Sequence, residues 1–167
     1  MNLYFVRHGP SPSLEEAGVA RDAERPLSDE GMVLCRRLGE ALRRVDVHLD
    51  LIAASPLKRA RQTADAVAQG LGIRDKVLVT DALSPGCTLM SLAEFARSHR
   101  QADRMMFVGH EPDMSAIVGE LIGGGALRMK PGAVARVKTD EIAPGMGVLR
   151  LLAPAEMLGL VGIVPDM

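Results

Sequence analysis

Apolar residues along this chain fall into six short runs, separated by longer stretches in which they recur every three or four positions. The runs Asn2 to Val6, Leu49 to Ala53, Lys76 to Thr80, Arg104 to Val108, Ala133 to Lys138 and Gly147 to Leu152 predict strands. Between them, Leu34, Leu38, Ala41, Leu42 and Val45 share one side of a helix beginning near Ser28. Ser28 is its expected cap, and Asp29 and Glu30 suit the positive helix end, although Gly31 excludes a full capping box.

A second helix is expected from Ser55-Pro56, with the serine as cap and proline at the first helical position. It carries Ala60, Ala64, Val67 and Leu71 and stops near Gly70-Leu71-Gly72. A third is expected over Ser91 to Arg100, and a fourth follows Pro112 with Met114, Ile117, Val118, Leu121 and Ile122 before Gly123-Gly124-Gly125. This alternation predicts an α/β chain: a three-layer α/β/α sandwich around a mostly parallel sheet of about six strands. No composition break divides the 167 residues, so 1–167 reads as one domain.

Composition narrows the chemistry. A hydrophobic content of 47% supports a substantial core, and 20 basic against 21 acidic side chains leave a net charge of -1. Such a balance offers no broad field for a nucleic-acid backbone or an anionic membrane, so neither is an expected partner and any anion site must be local. Cys35 and Cys87 show no metal-ligand spacing and no secreted disulfide framework, which points to a reduced compartment, cytoplasmic by default. The apolar run Met157 to Val164 is too short to cross a bilayer, and no basic segment with a following apolar stretch precedes Leu3. The scattered methionines, Met105, Met106 and Met114 among them, read as core filling.

Neither familiar nucleotide loop is present: no Gly-x-Gly-x-x-Gly follows the first strand, and the triple glycine lacks a following Lys-Ser/Thr. Three polar islands instead follow strands directly, namely Arg7-His8-Gly9, Ser55-Pro56-Leu57-Lys58-Arg59 and Gly109-His110. In an open α/β sheet the carboxyl ends of strands are where a ligand site forms. A neutral imidazole beside guanidinium forks suits phosphoryl transfer: the ring attacks phosphorus and the forks hold its oxygens.

On Leu3-Tyr4-Phe5-Val6-Arg7-His8-Gly9, Arg25-Pro26-Leu27-Ser28-Asp29-Glu30-Gly31, Ser55 through Ala64 and Val108-Gly109-His110-Glu111-Pro112, the chain resembles the histidine phosphatase superfamily, also called phosphoglycerate-mutase-like. The resemblance is closest to its compact bacterial branch of protein phosphohistidine phosphatases. It implies a phosphohistidine intermediate on His8, with Arg7, Arg59 and His110 as the surrounding phosphate pocket and Gly9 giving the backbone room at the substrate. Ser55 reads as a helix cap rather than a nucleophile, and Asp29 and Glu30 as helix-start charges. No cofactor is expected. No metal is expected either, because His8 and His110 lack a clear third ligand.

One departure bears on the substrate. Many members protonate an alcohol leaving group with a carboxylate in the segment before the second histidine motif, but here Asp81-Ala82-Leu83 has alanine where glutamate is sought. Asp81 and Asp22 are the remaining candidate proton donors, with Glu15 and Glu16 behind them. A phosphoester releases a basic alkoxide and needs that proton, whereas phosphohistidine releases a nitrogen base that can enter already protonated. The expected function is therefore hydrolysis of phosphorylated histidine on a partner protein. The alternatives are a small-molecule phosphomonoesterase using Asp81 or Asp22, and a noncatalytic module that binds phosphoproteins.

Overall fold

Alternating side chains on the central strands point to opposite faces of one sheet, and this divides the core in two. The computed structural model describes residues 1–157. Its strands are β1 (Asn2–Arg7), β2 (Leu51–Ala54), β3 (Val77–Val79), β4 (Arg104–Gly109), β5 (Val134–Thr139) and β6 (Gly147–Ala153). They form one sheet in the order β3-β2-β4-β1-β5-β6. The first four are mutually parallel, β5 is antiparallel to β1, and β6 is antiparallel to β5.

Tyr4, Val6, Ile52, Ala54, Met106 and Val108 face one way. They pack against helices α2 (Asp29–Arg44) and α3 (Lys58–Leu71). Leu3, Phe5, Ala53, Met105 and Phe107 face the other way. There they meet α4 (Leu89–Ser98) and α5 (Asp113–Leu121). The result is the expected three-layer sandwich with a mostly parallel, six-stranded sheet. Among the described residues, no helix is long and apolar enough to cross a membrane.

Helices α2 and α3 approach through glycine. A Cβ on Gly39 would stand 2.1 Å from the Val67 carbonyl, and one on Gly70 would stand 2.2 Å from the Arg36 carbonyl. Only glycine at both positions permits this separation, and it sets α3 close to α2 behind the site. Ser28 caps α2 through the Gly31 amide as the sequence predicts, and Gly72 ends α3 in the left-handed conformation at φ 81°.

Several boundaries differ from expectation. Strand β2 starts at Leu51 rather than Leu49, because Asp50 turns its carboxylate to the amides of Asp103 and Arg104. Helix α3 starts at Lys58 with Leu57 at the cap position and no side-chain cap, so Ser55 is not a helix cap. Helix α4 starts at Leu89, capped by Thr88, and Ser91 is its third residue, bonding back to the Thr88 amide in a capping box. The single-turn helix α1 (Leu14–Ala17) was not foreseen; Ser13 and Glu16 form its capping box, which occupies the Glu16 carboxylate. Leu151 and Ala153 pack onto the α2/α3 side, and the apolar run expected beyond Met157 lies outside the described residues.

Candidate active site

Parallel pairing of β2, β4 and β1 brings three distant polar segments to one edge. The Ser55 amide donates to the Val108 carbonyl at 3.0 Å, and the His8 amide donates to the Gly109 carbonyl at 2.9 Å. On the far side, the Gly132 amide donates to the carbonyls of both Arg7 and His8 at 3.1 Å. The backbone of His8 is therefore held by β4 on one side and by the turn before β5 on the other, before its side chain makes any contact.

His8 Nδ1 lies 2.8 Å from the Gly9 carbonyl. A carbonyl only accepts, so Nδ1 carries the proton and Nε2 keeps its lone pair. Arg59 Nε donates to that Nε2 at 3.2 Å. Gly9 is itself anchored by Thr63: its amide donates to Thr63 Oγ1 at 3.0 Å, and the threonine hydroxyl donates to the Arg59 carbonyl at 2.8 Å. A Cβ on Gly9 would stand 2.6 Å from Cys35 Sγ, so the tight β1–α2–α3 junction requires glycine there. Cys35 is a core thiol, pushed up to about 11 by burial.

Arg59 is buried, with 6% of its surface exposed. Beyond Nε, its Nη1 donates to the Asp22 backbone carbonyl and its Nη2 to Asp22 Oδ2, each at 2.8 Å. Asp22 sits on a 3₁₀ turn (Asp22–Glu24) and also accepts from Arg25 Nη1 at 2.9 Å. Partial burial pushes the Asp22 carboxyl up, but hydrogen bonds from Arg25 and Arg59 outweigh it and hold the group below the usual carboxylate range.

Arg7 Nη1 donates to the Met129 carbonyl at 2.8 Å. The Met129 amide donates to Ser115 Oγ at 3.1 Å, and the Ser115 hydroxyl lies 2.8 Å from both carboxylate oxygens of Glu111. Helix α5 thus fixes the arginine through the loop before β5. His110 is 4% exposed, its ring 5.3 Å from the His8 ring, and its Nε2 is 2.7 Å from Ser55 Oγ. The Leu57 amide donates to Ser55 Oγ at 3.4 Å, so the serine oxygen is held between the start of α3 and the His110 ring.

Two buried nitrogens in this group, Arg7 Nε and His110 Nδ1, have no hydrogen-bond partner among the described residues. Arg7 Nε–H is a donor in every state, and His110 Nδ1 is one when the serine proton goes to Nε2; phosphoryl oxygens are acceptors of the kind such donors lack. Burial holds the His8 imidazole down at about 4 against the opposing Gly9 hydrogen bond, with the Arg59, His110 and Arg7 charges adding to it. Burial and Arg59 likewise hold His110 at about 4. Both rings are neutral at neutral pH, so His8 Nε2 has a lone pair to offer and the two guanidiniums supply the positive charge.

The structure therefore brings Arg7, His8, Gly9, Arg59 and His110 together, with Asp22 joined to them through Arg59. Asp81 is not tied into this hydrogen-bonded group: it is exposed on a 3₁₀ turn (Asp81–Leu83), and its carboxylate makes no hydrogen bond or ion pair to a described residue. Ser55, Thr63, Ser115 and Met129 are supporting residues that sequence reasoning missed. Ser55 and Thr63 lie within the recognised motif, but their partners are visible only once the strands are paired. Among the described residues, no three His, Cys, Asp or Glu side chains gather as metal ligands.

Comparison with known proteins agrees with this geometry. Residues 3–84 match the family model of the histidine phosphatase superfamily (branch 1). An uncharacterised protein of Picosynechococcus sp. is 36% identical over 117 residues, 68% of each chain. The phosphohistidine phosphatase SixA of Escherichia coli is 27% identical over 148 residues, 87% of this chain and 89% of that one. A solved structure of the protein histidine phosphatase SixA with tungstate superposes with a TM-score of 0.83 at 24% identity, covering 95% of this chain and 99% of that one. The alpha-ribazole phosphatase of Shigella flexneri has the same fold, with a TM-score of 0.68 at 18% identity over 93% and 97% of the two chains. A chain with these relatives, and with an unprotonated imidazole nitrogen set against a buried guanidinium at the carboxyl edge of its sheet, belongs to the histidine phosphatase superfamily.

Proposed function

We propose that this protein hydrolyses phosphorylated histidine on a partner protein, through a covalent phosphohistidine on its own His8. The observation that carries the reading is the His8 geometry: Nδ1–H is committed to the Gly9 carbonyl, and Nε2 faces the Arg59 guanidinium. In the first step Nε2 attacks phosphorus and the substrate's P–N bond breaks. The substrate imidazole leaves neutral when its other nitrogen carries a proton, and the positive charge formed on the His8 ring rests on the Nδ1–H···O=C bond. In the second step water attacks phosphorus, the His8 P–N bond breaks, and inorganic phosphate departs with the water protons. His8 returns to its starting tautomer without gaining a proton. Arg7, Arg59 and His110 Nδ1–H stabilise the oxygens in both steps.

The substrate class is supported by the state of the carboxylates. Asp22 is held ionised by two guanidiniums, and the Asp81 carboxylate makes no hydrogen bond or ion pair to a site residue, so neither is anchored as a proton donor to a departing alkoxide. A phosphoramidate asks least of such a site. The name of the Escherichia coli relative points to the same class. The test is release of phosphate from a histidine-phosphorylated transfer protein, compared with an alkyl phosphate and corrected for spontaneous hydrolysis. Faster release from the phosphoprotein supports the proposal. Preference for the alkyl phosphate moves the assignment to a small-molecule phosphomonoesterase, and phosphate-sensitive binding without turnover moves it to a binding module.

A further inference from the structure

The Arg25-Pro26-Leu27-Ser28 segment is remote in sequence from His8 and is not used by the reaction steps above, yet a continuous chain of contacts joins them. Arg25 Nε donates to the Pro12 carbonyl at 2.7 Å and its Nη1 pairs with Asp22 Oδ1 at 2.9 Å. Asp22 holds Arg59 by its carboxylate and its backbone carbonyl together, and Arg59 Nε reaches His8 Nε2. A guanidinium has five N–H bonds in a rigid fork. Three of the five on Arg59 are assigned by these contacts, which fixes both the plane of the fork and the direction of its remaining two.

We propose that Asp22 is a positioning residue for phosphoryl transfer: braced by Arg25, it clamps the Arg59 fork beside His8, so that Nε–H, which rests on the Nε2 lone pair without substrate, passes to a phosphoryl oxygen as that lone pair attacks phosphorus. This rests on the reading of His8 as nucleophile. The clamp explains why a half-exposed carboxylate, with 52% of its side chain accessible, lies against an arginine with 8%. A solvated ion pair of that kind contributes little by itself, but a two-point hold on a buried fork removes its rotational freedom. Asp22 touches neither the reacting atoms nor the leaving group; it acts through Arg59. In the proton-donor role, the same carboxyl would have to release the guanidiniums and carry a proton at neutral pH.

The two roles separate by leaving-group dependence. Asp22→Ala and Asp22→Asn would be assayed with phosphoramidate, p-nitrophenyl phosphate and phenyl phosphate, alongside orthovanadate binding by calorimetry and circular dichroism to check folding. Asp22→Ala is expected to lower kcat/KM by about 30-fold or more, by the same factor on all substrates, and to weaken orthovanadate binding. Asp22→Asn, which keeps an acceptor for Arg59, is expected to recover most of that loss. A loss that grows with leaving-group basicity, with orthovanadate binding unchanged and Asn as impaired as Ala, overturns the clamp in favour of a proton donor. Wild-type behaviour of Asp22→Ala overturns it in favour of a solvated loop carboxylate. Wild-type protein that hydrolyses none of these substrates fails the phosphatase reading instead, and the orthovanadate comparison still decides the clamp.

Discussion

The Ser55 hydroxyl lies 2.7 Å from His110 Nε2, with both side chains buried at the junction of β2 and β4. When the serine hydroxyl donates to Nε2, the ring carries its own proton on Nδ1, and that N–H is the donor available to phosphate. Ser55→Ala is expected to lower kcat by roughly 10- to 100-fold, since a misassigned oxyanion donor is nearly as damaging as a missing one. The fold is expected to survive, at a cost of about 1–3 kcal/mol for the unsatisfied nitrogen. Nitrogen-15 shifts of His110 check the mechanism directly, because the protonated position should no longer be confined to Nδ1.

Stability should depend on pH through the same two histidines. Their folded values of about 4 lie below the ordinary 6.5. Above pH 6.5 the rings are neutral in both folded and unfolded chains and contribute no difference. As pH falls from 6.5 to 4, the unfolded chain takes up protons that the folded chain refuses, so stability is lost across this window and the loss levels off below it. The upper bound is on the order of 3 kcal/mol per ring. Urea midpoints measured between pH 8 and about 4 should decline accordingly, and His8→Ala should remove part of the slope. A wild-type curve flat through this window would contradict the neutral-imidazole assignment.

The α2–α3 crossing offers a test away from the chemistry. Gly39→Ala places a methyl group 2.1 Å from the Val67 carbonyl, and Gly70→Ala places one 2.2 Å from the Arg36 carbonyl. Backbone atoms cannot yield as a flexible side chain would. Each substitution is expected to destabilise by about 2–3 kcal/mol, despite the better helix propensity of alanine, and the urea midpoint measures it. Because α3 carries Arg59 and Thr63, activity should fall with the same substitutions even in the fraction that remains folded.

The sequence made the layers legible because neighbouring positions on the strands bury on alternate faces: Leu3 and Phe5 belong to one core, Tyr4 and Val6 to the other. The cap of α2 was equally plain, since Ser28 and the Gly31 amide lie within one turn. What escaped were roles defined by partners far along the chain. Ser55-Pro56 carries a local helix-start signature, but the partner of Ser55 is His110, fifty-five residues away. Asp22 reads as one acid in a polar loop until Arg59, thirty-seven residues on, is folded against it. Helix α1 was missed because a single turn of four residues has no periodicity to detect.

The central claim is that His8 Nε2 takes the phosphoryl group, and trapping the intermediate tests it most directly. Wild-type protein mixed with a histidine-phosphorylated transfer protein and quenched in alkali should yield acid-labile phosphohistidine on His8, bonded at Nε2, because Nδ1 is committed to the Gly9 carbonyl. The same experiment with His8→Ala should yield none. Phosphate released at the wild-type rate by His8→Ala, or a phosphoryl group found on Nδ1 of His8 or on another residue, would contradict the account.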